Sequence, residues 1–242
     1  MLQASAIAGK NFETRFVASI LQKLKCFISI PALEPDENLH PKPRPGWWFW
    51  AAMLVGLVIR IYCVVFTQGT YDVGIWQRHA DGVRKLGIIG YYHANPEMNH
   101  PPLISVAISY LLRMAEAGGI PFRVLLRLPF AMLDAGTTLL LLYVFRYNRY
   151  RFVAAACYWL NPLTIIFSAY QGNTDSSVAF FLMLCMILLL KEKEILAGAV
   201  LGASLWIKLP AILAIPAFVF VLPTWRKRLF FLAAIGVVGI ST

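Results

Sequence analysis

Two aspartates sit in polar sequence between long apolar runs: Asp72 in Thr-Tyr-Asp-Val-Gly and Asp175 in Gly-Asn-Thr-Asp-Ser-Ser. A positioned carboxylate can take the proton of an attacking hydroxyl, which is general-base chemistry. His93, Glu97, Asn99 and His100 lie between them, the last opening His-Pro-Pro-Leu at 100–103, and Gln171 stands shortly before the second aspartate. Lys208, in Leu-Trp-Ile-Lys-Leu-Pro, is a lone cation at the end of an apolar run, a placement that suits a phosphate arriving from the lipid side. Plainer readings stand beside these. Asp72 and Asp175 are natural helix N-caps. Lys208 can snorkel to an interface. His93 and His100 lack the spaced partner set of a metal site.

Arg60 and Asp134 are charges within apolar sequence proper, as is Lys208 at its margin. A charge at mid-bilayer costs about 2.5–3.5 kcal/mol on insertion scales, so such residues face a partner or a cavity. Asp134 is expected to pair with Arg127, two turns earlier on the same helix, and Arg60 to snorkel.

The elements that hold these residues are set by composition. The chain has 242 residues, 59% hydrophobic and 14% charged, with a mean hydropathy of +0.66. A soluble domain carries about 45–50% apolar and about 25% charged residues, so cytosolic enzymes, secreted disulfide scaffolds and disordered tails are excluded. Cys26, Cys63, Cys157 and Cys185 stand far apart and imply neither zinc nor a disulfide framework. The net charge of +10 lies between apolar runs, a membrane-orientation pattern rather than a nucleic-acid footprint.

Residues 1–46 read as a cytoplasmic amphipathic helix and a Pro-rich linker, and 47–242 as an all-α transmembrane bundle. Apolar runs cover 47–67, 122–145, 152–169, 176–190, 195–207, 210–222 and 229–242. The run 103–112 is too short to cross and is expected to be interfacial or re-entrant. The clusters Arg146-Tyr-Asn-Arg-Tyr-Arg and Arg226-Lys-Arg then fall on the cytoplasmic side with a cytoplasmic N-terminus. Seven spans follow, with outer loops 68–121 and 169–176. In the first loop Val73, Trp76, Ala80, Val83 and Leu86 share one helical face, which predicts a short in-plane helix. No GxxxxGK[ST], GxGxxG or HExxH is present, so an activated substrate would come through the membrane rather than as a cytosolic nucleotide.

The order of these features resembles the GT-C superfamily of integral-membrane glycosyltransferases, above all the polyprenyl- or dolichyl-phosphate-sugar-dependent enzymes. The likeness rests on an early Asp in a long outer loop, a later His-Pro-Pro-Leu, a span bearing Arg and Asp, Asn161-Pro-Leu-Thr-Ile-Ile-Phe-Ser-Ala-Tyr-Gln-Gly-Asn-Thr-Asp175, and Lys208-Leu-Pro. It covers about residues 47–222. Family members commonly run longer with more spans, so these 242 residues read as an N-terminal portion.

The resemblance implies that Asp72 is the catalytic base, with Asp175 a second catalytic carboxylate. It implies that His100, Asn99, Gln171, Lys208 and Arg123 bind substrate. The implied activity is hexosyl transfer, with inversion, from a polyprenyl-phosphate donor to an acceptor hydroxyl on the extracytoplasmic side. The acceptor is a lipid-linked glycan or another hydroxyl compound. Fixed cations assist the departing phosphate. No cofactor is demanded, and a divalent metal, used by some relatives, is compatible. Membrane lipids are expected partners and nucleic acid is not. A transporter or flippase for a lipid-linked or anionic substrate is the main alternative, and a non-catalytic membrane assembly subunit is a third reading. A bacterial inner membrane is preferred to the ER membrane.

Overall fold

The structure, a computed structural model, describes residues 44–96, 98 and 100–240. The expected amphipathic helix near the N-terminus lies outside the described residues, as does Asn99. Among the described residues every regular element is helical: α1 (Trp47–Phe66), α2 (Tyr71–Ala94), α3 (Pro102–Gly118), α4 (Phe122–Val144), α5 (Arg151–Trp159) and α6 (Pro162–Ile165) come first. A π-helical segment (Ile166–Gln171), α7 (Asp175–Leu190), α8 (Glu194–Leu205), a 3-10 segment (Leu209–Ala214), α9 (Ile215–Val221) and α10 (Trp225–Ile240) complete the order.

Among the described residues only α1 and α4 are long and apolar enough to cross a bilayer alone, and a third crossing results if the bent pair α5 plus 162–171 counts as one. The expected seven spans therefore reduce to two or three on length and hydropathy. The reason is physical: α7 has 16 residues, about 24 Å at 1.5 Å per residue, against a hydrocarbon core of about 30 Å. The run 152–169 is broken by Pro162. Proline disfavours helical geometry in the residue before it, so Asn161 goes extended and its side chain caps the new helix by accepting from the Leu163 N–H at 2.9 Å.

The chain runs back and forth between two ends. At one end lie the turns 145–150, 191–193 and 222–224, and Lys227 pairs there with Glu192 and Glu194. This is the basic end. At the other, the loop end, the Trp206 indole donates to the Val238 carbonyl at 2.7 Å. α8 and α10 thus run side by side in one direction. Gly198 and Gly202 on α8 make that approach possible, because a Cβ at Gly198 would run into the Phe231 carbonyl.

The outer loop 68–121 is a helical hairpin rather than one short helix. Val73, Trp76, Ala80 and Val83 are buried as the pattern requires, but Leu86 is exposed, because Gly87 (φ 69°, ψ 168°) breaks α2 directly after it. Trp76, Ile108, Leu112 and Leu126 form a core shared by α2, α3 and α4. α3 reaches Gly118, longer than the expected 103–112, with Pro102 in its first turn, where a missing N–H costs nothing. A second core, around Cys185, Leu201, Phe231 and Ile235, joins α7, α8 and α10.

The pairing of the buried charges differs from expectation. Asp134 pairs with Arg60 on α1 at 3.2 Å, not with Arg127. Seven residues separate Arg127 and Asp134 on one helix, about 10 Å along its axis, while α1 brings Arg60 alongside. Arg60 does not snorkel: it is 2% exposed, stacks over Trp159 at 3.8 Å and donates to the Trp159 carbonyl at 2.6 Å. Tyr158 and Ser168 also donate to the Asp134 carboxylate, at 3.1 and 2.5 Å.

Candidate functional site

Arg127 builds the floor of the loop end. It is fully buried, among the described residues it has no carboxylate partner, and its donors go to the backbone and a hydroxyl. Nη2 donates to the carbonyls of Val64 (2.9 Å) and Thr67 (2.8 Å). Nη1 donates to the Thr67 hydroxyl (3.0 Å) and the Tyr170 carbonyl (3.2 Å), and Nε to the Arg123 carbonyl (2.9 Å). Most of these acceptors sit where helices end, at the negative pole of the helix dipole. One guanidinium thereby ties the end of α1, which leads to Asp72, to the π-helical segment, which leads to Asp175. Two glycines make room for it. Gly69 (φ 79°) and Gly172 (φ 72°) adopt left-handed backbone, and a Cβ on either would stand 3.0 Å from the Arg127 side chain.

Above this floor Lys208 bonds Asp175, with the Asn173 side-chain oxygen 3.4 Å from its Nζ. Asn173 also accepts from the Asp175 N–H at 3.2 Å. Asp175 is thus the first residue of α7, held by a lysine, and not its N-cap, which is Thr174. His100 packs against Trp76, ring centroids 4.6 Å apart. Burial holds the His100 imidazole below its ordinary pKa, and the charges of nearby Lys208 and then His79 add to the effect. His79 is likewise lowered, by burial and then by Arg78, and bonds the Tyr91 hydroxyl. The Tyr92 hydroxyl donates to the His100 carbonyl at 2.5 Å and lies 3.0 Å from the Ser105 hydroxyl, which locks the hairpin tip.

The structure therefore gathers Asp175, Lys208, Asn173 and His100. Asp72 is exposed in the first turn of α2, inside the helix rather than before it, and accepts from the Thr70 hydroxyl at 3.2 Å. Gln171 ends the π-helical segment, and Arg123 lies in the first turn of α4, both half-buried. Among the described residues no group of three His, Cys, Asp or Glu side chains could hold a metal.

Beside the polar cluster runs a feature that the sequence pattern did not reveal. A largely apolar cavity of about 860 Å³ opens between the hairpin tip and the loop ends of α8 and α10, lined by Ile88, Ile89, Tyr92, His93, Leu103 and Trp206 among others. A second cavity, about 410 Å³, continues it past Pro102 and Trp206 to Met98, His100 and Leu209. Together they form a largely apolar groove, with His100 in its second stretch. The available signals were Pro101-Pro102, Gly87 and Trp206, but a groove between elements distant in sequence leaves no periodic trace.

A family model described as GPI transamidase subunit PIG-U matches residues 76–239, more than half of the chain. No curated protein and no solved structure matches. The matching family is a multi-span membrane family distantly like GT-C, so the GT-C resemblance holds at that coarse level. Its description names a transamidase subunit and overturns glycosyltransferase activity, and the transporter alternative is not supported. The polyprenyl-phosphate sugar and its acceptor fall as partners with it. The match also opposes the bacterial membrane preferred from the sequence.

Proposed function

The chain belongs to the PIG-U family of GPI transamidase subunits, and from that premise we propose that it serves the transamidase by holding the lipid part of the GPI substrate in the loop-end groove. The observation that carries this reading is the apolar groove beside a polar rim. Acyl chains demand an apolar lining, and a phosphoinositol-glycan head demands polar partners at its mouth. The lining of Ile88, Ile89, Leu103 and Trp206 meets the first need. His100, Lys208 and Asp175, with Asn99 and Gln171 near them in the sequence, meet the second. We assign Asp72 to positioning the start of α2 through its bond from the Thr70 hydroxyl.

In this reading the protein is an integral membrane protein of the ER, working beside other subunits of the transamidase. Residues 47–242 form one membrane module with its loop end toward the lumen. The shorter helices α7, α8, α9 and α10 alternate in direction between the two ends, which supports further crossings beyond α1 and α4. The test is photocrosslinking of a GPI analogue bearing a lipid-chain diazirine to the full chain within the transamidase. Labelling of Leu103, Val106 or Trp206 supports the reading. Labelling confined to the exposed face of α1 overturns it.

A further inference from the structure

The basic end carries a cluster that the groove reading does not use. Arg146 lies over the rings of Tyr143 and Tyr147, at 4.6 and 4.9 Å, and Lys191 lies over the other approach to Tyr143 at 4.7 Å. Arg149 covers Tyr150 at 4.6 Å, and Arg151 covers Phe152 at 4.5 Å. The cluster joins three elements, because Tyr143 closes α4, Arg151 opens α5 and Lys191 follows α7. Arg151 Nη1 donates to the Arg146 carbonyl at 3.0 Å, which fixes the turn, while its buried Nε has no hydrogen-bond partner.

Among the described residues no carboxylate pairs with any of these four cations. The acids at this end, Glu192 and Glu194, are both taken by Lys227. Four unneutralised cations at one end of the bundle repel one another, and an anion placed among them relieves that repulsion. The position decides which anion. Leu139 and Val153, about one turn or less from Tyr143 and Arg151 on the same helices, are 65% and 46% exposed, as lipid-facing side chains are. Tyrosines and basic residues just beyond such a surface stand at headgroup depth.

We propose that the Tyr143–Arg146–Arg149–Arg151–Lys191 cluster binds the phosphate of an anionic phospholipid in the leaflet opposite the groove. The guanidinium groups supply paired donors to phosphate oxygens, and the tyrosine rings orient them. The apolar flank of α4 and α5 receives the acyl chains. An acidic polypeptide is less suited, since it would have to approach through the headgroup layer that this surface already meets.

The test uses the full chain in discs of phosphatidylcholine with a minor fraction of phosphatidylserine. After mild delipidation, the lipids that remain bound are quantified by mass spectrometry. Arg149→Gln/Lys191→Gln removes two exposed cations and leaves the buried contacts of Arg151 intact. The expected result is enrichment of phosphatidylserine on the parent chain, reduced at least roughly tenfold in the variant, with phosphatidylcholine unchanged. High salt should weaken the parent's enrichment, and Arg149→Lys should retain it. Equal phosphatidylserine on parent and variant would overturn the proposal. So would an acidic protein held by the parent in place of the lipid.

Discussion

Arg60 on α1 and Asp134 on α4 meet at 3.2 Å with neither side chain more than 3% exposed. Each carries the charge that makes the other tolerable in an apolar bundle. Breaking such a pair from one side leaves a bare buried charge, on the order of 3–5 kcal/mol. Asp134→Asn is therefore expected to lower the thermal midpoint of the detergent-solubilised chain by several degrees. Arg60→Met/Asp134→Leu should melt well above either single variant. A single variant as stable as the parent would show that the pair does not hold α1 to α4.

Left-handed glycines at the floor give a second expectation. Gly172 and Gly119 both adopt positive φ with αL geometry, but only Gly172 lies against Arg127. Gly119→Ala should lose about 1–2 kcal/mol from backbone strain alone. Gly172→Ala adds a contact at 3.0 Å to the Arg127 side chain and should be clearly less stable than Gly119→Ala in the same melting assay. Equal losses would mean that Arg127 can shift at no cost.

Acid should loosen the loop end. Burial lowers the pKa of both His79 and His100 from the usual 6.5. In a chain whose folded-state pKa is depressed, the unfolded form binds the proton first. The stabilisation is complete above the ordinary value and is lost as pH falls through the lowered one. Opening of α2 and of the first turn of α3, read by hydrogen exchange corrected for the intrinsic rate, should therefore be flat above about pH 7 and rise as the pH drops below about 6.5. His79→Gln/His100→Gln should flatten that rise. A rise of the same size in the double variant would assign it to other groups.

How much of this was legible in sequence depends on what each feature needed. α1 and α4 follow from run length, and the buried face Val73, Trp76, Ala80 and Val83 follows from helical spacing. Helical spacing tells which residues share a face, not which helix covers it. Arg127 was paired with Asp134 for that reason, although its partners are backbone carbonyls, which every residue offers. The resemblance makes Asp72 and Asp175 catalytic carboxylates; the structure adds that Asp175 bonds Lys208 and that Asp72 accepts from the Thr70 hydroxyl. The π-helical segment and the groove arise from packing among distant elements, and no local pattern encodes them. The order of motifs pointed to a multi-span membrane family distantly like GT-C, and it misassigned the chemistry because shared architecture does not fix activity.

The most direct measurement fills the groove. Ala203 lines it at the loop end of α8, and Ala203→Trp would occupy the space reserved for the lipid. In cells that depend on this chain for GPI anchoring, the account predicts that the variant still co-purifies with the transamidase at parent levels. It also predicts that the variant fails to deliver a GPI-anchored reporter to the cell surface. Normal reporter delivery by an assembled variant would contradict a lipid-holding groove.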